Sequence, residues 1–94
     1  MRIEIQKFGT LLVSRPAGRE AYLAAEASFL RGLDLSSEIE VDFSGVLVLT
    51  PSWADEFLKP LRKRFSRVRL THTENVSVQA TLKILQEFAE DLSV

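Results

Sequence analysis

Cysteine is absent from the 94 residues, so neither a disulfide framework nor a thiolate metal site can form. The single histidine, His72, stands among scattered carboxylates, which is not the clustered ligand set a metal needs. No apolar run approaches the roughly 18 residues of a membrane span, and Met1–Val13 lacks the pattern of a signal peptide. The expectation is a cytoplasmic chain with no membrane partner. Charge of one sign is also missing. Twelve Lys and Arg face 13 Asp and Glu, and a net charge of −1 speaks against a nucleic-acid partner held by electrostatics. Neither G-x-x-x-x-G-K-[ST] nor G-x-G-x-x-G occurs, so nucleotide sites of those types are not expected.

What is present is ordinary globular material. Hydrophobic residues make up 46% and charged residues 27%, and the length suffices for one core, so residues 1–94 read as one domain. Residues 2–7 alternate polar and apolar, as a half-buried strand does. Phe8-Gly9-Thr10 reads as a turn, and residues 10–13 as a second, antiparallel strand. Ser14-Arg15-Pro16 opens a helix over 16–31, with proline tolerated in a first turn. Ile39, Val41 and Phe43 alternate in a strand over 38–43. The apolar run Val46–Leu49 reads either as a continuation of that strand or as a loop tucked into the core.

Thr50-Pro51-Ser52 is the sharpest local signal, with Thr50 at the N-cap of a helix over 51–65. Trp53, Phe57, Leu61 and Phe65 form its apolar face, and Pro60 predicts a kink or break. Residues 67–72 alternate as a strand. Asn75 precedes a last helix over 76–91 whose core stripe is Val78, Leu82, Leu85, Ala89 and Leu92, flanked by Ile84 and Phe88. The order β-β-α-β-α-β-α predicts an α/β fold. Right-handed crossovers give a four-stranded mixed sheet with its helices on one face and an antiparallel first edge.

In such a sheet the strand-to-helix turns gather at the carboxyl ends of the parallel strands, where sites usually lie. These turns carry Arg15, Thr50, Ser52, Thr73 and Asn75, a hydroxyl-rich set that composes no catalytic constellation. The chain is therefore expected not to be an enzyme and to need no cofactor. A His72–Ser52 pair is outweighed by an ordinary strand-end role for His72. Asp55 and Glu56 read as stabilisers of a helix start before they read as an acid–base pair. Arg15 and Asp55 each fall in a first helical turn on neighbouring strand ends, so a bridge between them would lock two helix starts together. The basic cluster Lys59, Arg62, Lys63, Arg64, Arg67 and Arg69 reads first as the solvated end of a helix and second as a phosphate-binding surface.

Val41-Asp42-Phe43-Ser44-Gly45-Val46, followed by Ser52-Trp53-Ala54-Asp55-Glu56-Phe57, resembles the D-F-x-x-V and S-F-A-D-E pattern of the STAS-like domains of unknown function, DUF4325. Arg15-Pro16-Ala17-Gly18 is similar to their R-x-x-G, and Asn75–Leu82 to their last helix start. Trp53 stands where that family more often has phenylalanine. More distantly, the layout resembles STAS-domain anti-sigma-factor antagonists of bacteria. In these a serine at the equivalent helix start is phosphorylated by a kinase that is also an anti-sigma factor. On that likeness Ser52 takes the phosphorylated position, with Thr50, Pro51 and Trp53 replacing the aspartate, first serine and glycine of the D-S-S-G-L turn.

The resemblance implies a regulatory signalling module that docks a histidine-kinase-like ATPase. The docking rim would be Arg15, Thr50, Ser52, Trp53, Asp55, Glu56, Thr73 and Asn75. The alternative is a small-ligand or nucleotide sensor using the same rim. A sizeable apolar pocket would favour the alternative, and a flat rim would favour protein docking.

Overall fold

A computed structural model describes residues 1–92, and the side chains of residues 1–86. The side chains of Phe88, Ala89 and Leu92, which the stripe assigns to the core, lie outside the described residues.

The alternating segments become β1 (Arg2–Glu4), β3 (Glu38–Asp42) and β5 (Arg67–Thr71), parallel in the order β1-β3-β5. Two short strands, β2 (Leu11–Leu12) and β4 (Val48–Leu49), pair parallel in a second sheet with Leu12 opposite Leu49. The helices are α1 (Arg15–Ala25), α2 (Pro51–Arg64) and α3 (Val76–Leu92).

The register puts Ile3 opposite Val41 and Val41 opposite Leu70, so one sheet face is apolar. Ile3, Ile39 and Val41 are buried there in one cluster with Ala21, Tyr22 and Ala25 of α1 and Trp53, Phe57 and Leu61 of α2. Each such large apolar side chain contributes about 1.5–3 kcal/mol by leaving water. The other face carries Arg2, Glu38, Glu40, Asp42 and Arg69, tied in ion pairs. α1 packs along α2, and α2 along α3. Gly18 makes the α1–α2 crossing close, because a Cβ there would fall inside the contact shell of the Trp53 carbonyl oxygen and 2.9 Å from the Trp53 Cα.

The expected single mixed sheet does not form. Residues 5–8 close into a 3-10 turn, in which the Gly9 N–H donates to the Gln6 carbonyl, and this shortens the first strand to residue 4. No hairpin follows. The second arm is interrupted in its turn at Ser44-Gly45, where Gly45 takes φ +82° and the Gln6 side chain fills the place of a Cβ. Only glycine adopts that conformation without strain and also leaves that space. The two interrupted arms run side by side, β1 with β3 before the breaks and β2 with β4 after them.

Three local features also depart from the sequence reading. α1 widens into a π turn over Glu26–Leu30, closed by the Arg31 N–H donating to the Glu26 carbonyl at 3.1 Å. α2 runs unbroken through Pro60 to Arg64, so of the kink or break expected there it is the break that does not occur. The apolar run is half surface: Val46 and Leu49 are buried, but Leu47 and Val48 are exposed.

Candidate functional site

The three helix starts meet around the β2–β4 ribbon, and each is held there by its own capping chemistry. Ser14 Oγ accepts from the Ala17 N–H at 3.2 Å and caps α1. Thr50 caps α2 by accepting from the Trp53 N–H, and its hydroxyl points at the Leu12 and Val13 carbonyls 3.1 and 3.0 Å away. Thr50 therefore ties the start of α2 to β2 as well as capping it. Asn75 caps α3 by accepting from the Val78 N–H at 3.1 Å, while its Nδ2 donates to the Leu47 carbonyl. Ser77 closes the edge of β4: its Oγ accepts from the Leu49 N–H and donates to the Leu49 carbonyl, which Thr81 also reaches.

The bridge expected between the first two helix starts is present and doubled. Arg15 Nη1 donates to Asp55 Oδ2 and to Glu56 Oε1, each at 3.0 Å. Its bonds to Glu56 and then to Asp55 hold the guanidinium even more firmly protonated than usual. The arginine and glycine of R-x-x-G thus act on the same neighbour. Arg15 binds the acidic pair of α2, and Gly18 lets α1 approach the backbone of Trp53.

Ser52 is half-buried in the first turn of α2. It lies at one end of a groove of about 850 Å³ between α2 and α3, which Arg15 and Asp55 also line. Thr73 is half-buried in the turn before α3 and bonds to no other rim residue among the described residues. Trp53 does not belong to the rim. It is 1% exposed and stacks on Phe57 with ring centroids 5.2 Å apart and planes at 13°. Its i+4 spacing to Phe57 turns the indole wholly inward, which excludes it as a surface contact.

Two features went unread in the sequence. The first is apolar surface at the same rim. Leu11 is 64% exposed, Leu47 61% and Val76 81%, with Val13 and Val48 exposed beside them. Leu11 and Val48 are cross-strand partners, so this is a patch and not isolated side chains. Alternation could have shown Leu11 and Val13 facing away from Leu12; Leu47 gave no such signal.

The second feature is Asp42, which is 1% exposed at the end of β3. Ser44 donates to it through both its hydroxyl and its N–H, Arg2 binds its other oxygen, and His72 Nδ1 lies 2.9 Å from Oδ1. The Ser44 hydroxyl, the Arg2 guanidinium, the Ser44 N–H and His72 together hold the Asp42 carboxyl far below the usual carboxylate range, against the opposing effect of burial. Serine, aspartate and histidine meet here in the wrong order for nucleophilic catalysis. Ser44 and His72 both bond to the same carboxylate oxygen, so the imidazole is not placed to take the hydroxyl proton. The cluster fixes the turn after β3. His72 is held at φ +54° to reach it.

Among the described residues no group of three or more His, Cys, Asp and Glu side chains is arranged to hold a metal ion, and no helix is long and apolar enough to cross a membrane. No curated protein and no solved structure matches the chain. The family model of the STAS-like domains of unknown function (DUF4325) matches residues 27–79, a span running from the π turn after α1 through β3, the Ser44-Gly45 turn, β4, α2 and β5 to the first turn of α3, and the chain belongs to that family.

Proposed function

We propose that the chain is a regulatory, protein-binding module of the bacterial cytoplasm that docks a histidine-kinase-like ATPase through the rim around Ser52. The observation that carries this reading is the exposed apolar side chains of Leu11, Val13, Leu47, Val48 and Val76, with Leu11 and Val48 paired across the β2–β4 ribbon, beside three capped helix starts. Exposed apolar surface rimmed by polar side chains is the ordinary make-up of a protein interface. Here the polar surround is Arg15 with Asp55 and Glu56, together with Thr50, Thr73 and Asn75. Caps that fix the backbone in advance lower the ordering cost of association. STAS-like membership supports a regulatory role.

Ser52 is the control point in this reading. A phosphate on the second residue of α2 meets the positive helix pole, which favours it, and the Asp55 and Glu56 carboxylates, which do not. The net effect on folding is small, so the added charge acts on docking. The test is calorimetric titration of a histidine-kinase-like ATPase that co-purifies with the native protein against wild type, Ser52→Ala and Ser52→Asp, with mass spectrometry of the native protein. Tight binding by wild type and Ser52→Ala, with a loss of tenfold or more in Ser52→Asp, is the expected result. Equal affinities and no phosphate on Ser52 would refute the control point.

A small-ligand sensor is the second reading, and it draws on the groove beside Ser52. A volume of about 850 Å³ falls in the range of ligand sites. A metabolite that raises the melting temperature and shifts the resonances of Ser52 and Leu58 would favour it.

A further inference from the structure

The groove between α2 and α3 has two unlike sides. Leu58 of α2, Leu70 of β5, and Leu82 and Leu85 of α3 line it. Leu70, Leu82 and Leu85 are only half-buried, although Val78 one turn earlier on α3 is fully enclosed. Among the described residues, three elements thus turn leucines toward one volume. Along the α2 side stand Lys59, Arg62 and Lys63, at i, i+3 and i+4 on one helical face and exposed. Asp55 is the sole acid among the described lining residues, and Arg15 already binds it.

The dimensions suit a helix. From Ser52 to Lys63 the wall runs about 17 Å at the helical rise, and a helix of about 10 Å diameter fills roughly 420 Å³ per turn. The groove of about 850 Å³ therefore takes about two turns. It is open to solvent along one side, whereas a small-molecule site encloses most of its ligand.

We infer that this groove binds an acidic amphipathic helix of a partner protein, with leucine-like side chains seated on Leu70, Leu82 and Leu85 and carboxylates facing Lys59, Arg62 and Lys63. Helix-in-groove recognition works in this way, through i, i+3, i+4 and i+7 anchors. The charged wall selects the sign of the partner and speeds its approach. The groove meets the rim at Arg15, Ser52 and Asp55, but its leucines and cations lie apart from the apolar β2–β4 ribbon and do not depend on docking there.

The probe is a fluorescent 18-residue helical peptide of Leu, Ala and Glu, with leucines on one face and glutamates flanking them. Its control carries lysine in place of every glutamate. Anisotropy titration at low and at physiological salt should show saturable binding of the glutamate peptide, weakened by salt, and at least tenfold weaker binding of the lysine peptide. The triple reversal Lys59→Glu, Arg62→Glu and Lys63→Glu should exchange that preference. These side chains are exposed, but Arg62 and Lys63 lie in the last turn of α2 and their reversal lowers the melting temperature by several degrees, so an unchanged circular dichroism spectrum with a cooperative transition will show that the fold persists. Leu47→Asp with Val48→Asp, which alters the rim, should leave peptide binding as it is. That separates this inference from the rim reading, which would fail on the ATPase titration alone. Equal binding of the two peptides, no saturable binding of the glutamate peptide, or an affinity unmoved by the triple reversal would overturn it.

Discussion

Gly18→Ala measures how closely α1 and α2 approach each other. In an open helix this change stabilises by about 1 kcal/mol, because alanine loses less backbone entropy than glycine. At Gly18 the new Cβ meets backbone: it falls inside the contact shell of the Trp53 carbonyl oxygen and 2.9 Å from the Trp53 Cα. Backbone cannot rotate away as a side-chain tip can, so α1 must shift or α2 must tilt. Overpacking of this kind costs about 1–3 kcal/mol, and here it also strains the Thr50 cap, since the acceptor for the Trp53 N–H is Thr50 Oγ. A clash with backbone takes the upper part of that range, about 2–3 kcal/mol, so a net loss of about 1–2 kcal/mol remains after the helical gain is subtracted. For a domain of this length that lowers the melting temperature by roughly 5–15 °C. Gly32→Ala is the internal control, because no atom lies within 4 Å of a Cβ there, and it should be neutral or slightly stabilising. Urea unfolding followed by circular dichroism gives both numbers. A Gly18→Ala protein as stable as wild type would mean that the two helices do not cross as described.

Other expectations concern the caps, the buried acid and the indole. Thr50→Ala should cost more than the roughly 1 kcal/mol of a lost cap, since the hydroxyl also reaches the Leu12 and Val13 carbonyls, while Ser52→Ala should leave chemical stability nearly unchanged. Denaturant curves of the two variants would contradict this if their order were reversed. The depressed carboxyl of Asp42 contributes stability that is fully present above the unfolded value near 4 and is lost as the pH falls through its folded value. Wild type should therefore lose stability below about pH 4, and Asp42→Asn should be less stable at neutral pH with a shallower acid dependence. Parallel acid slopes for the two proteins would remove Asp42 from that role. Trp53 fluorescence should be blue-shifted and poorly quenched by iodide, and free-indole emission would contradict its burial.

The parts of this fold that sequence reveals are those set within a few residues. Ser14, Thr50 and Asn75 are caps because a short polar side chain meets the free N–H groups of its own helix start. The Arg15–Asp55 bridge is legible because both residues follow neighbouring strand ends, although Asp55 and Glu56 lie in the second turn of α2 and not in the first turn that the sequence suggests. What sequence hides depends on partners far along the chain. Phe8-Gly9-Thr10 has hairpin composition, but its strands pair in parallel with β3 and β4 and not with each other. Leu47 and Val48 look like core, and only the short β2–β4 ribbon turns them to the surface. His72 reads as an ordinary strand end in the sequence, and the register of β3 with β5 brings it to Asp42.

Docking through the rim is tested most directly at its apolar patch. Leu47→Asp with Val48→Asp places two charges on exposed positions, so the fold should melt within a few degrees of wild type. Calorimetric titration of the co-purified histidine-kinase-like ATPase should then show at least a tenfold loss of affinity, because interface cores do not tolerate unpaired charge. An ATPase that binds the double variant as tightly as wild type, or that binds neither, would contradict the account.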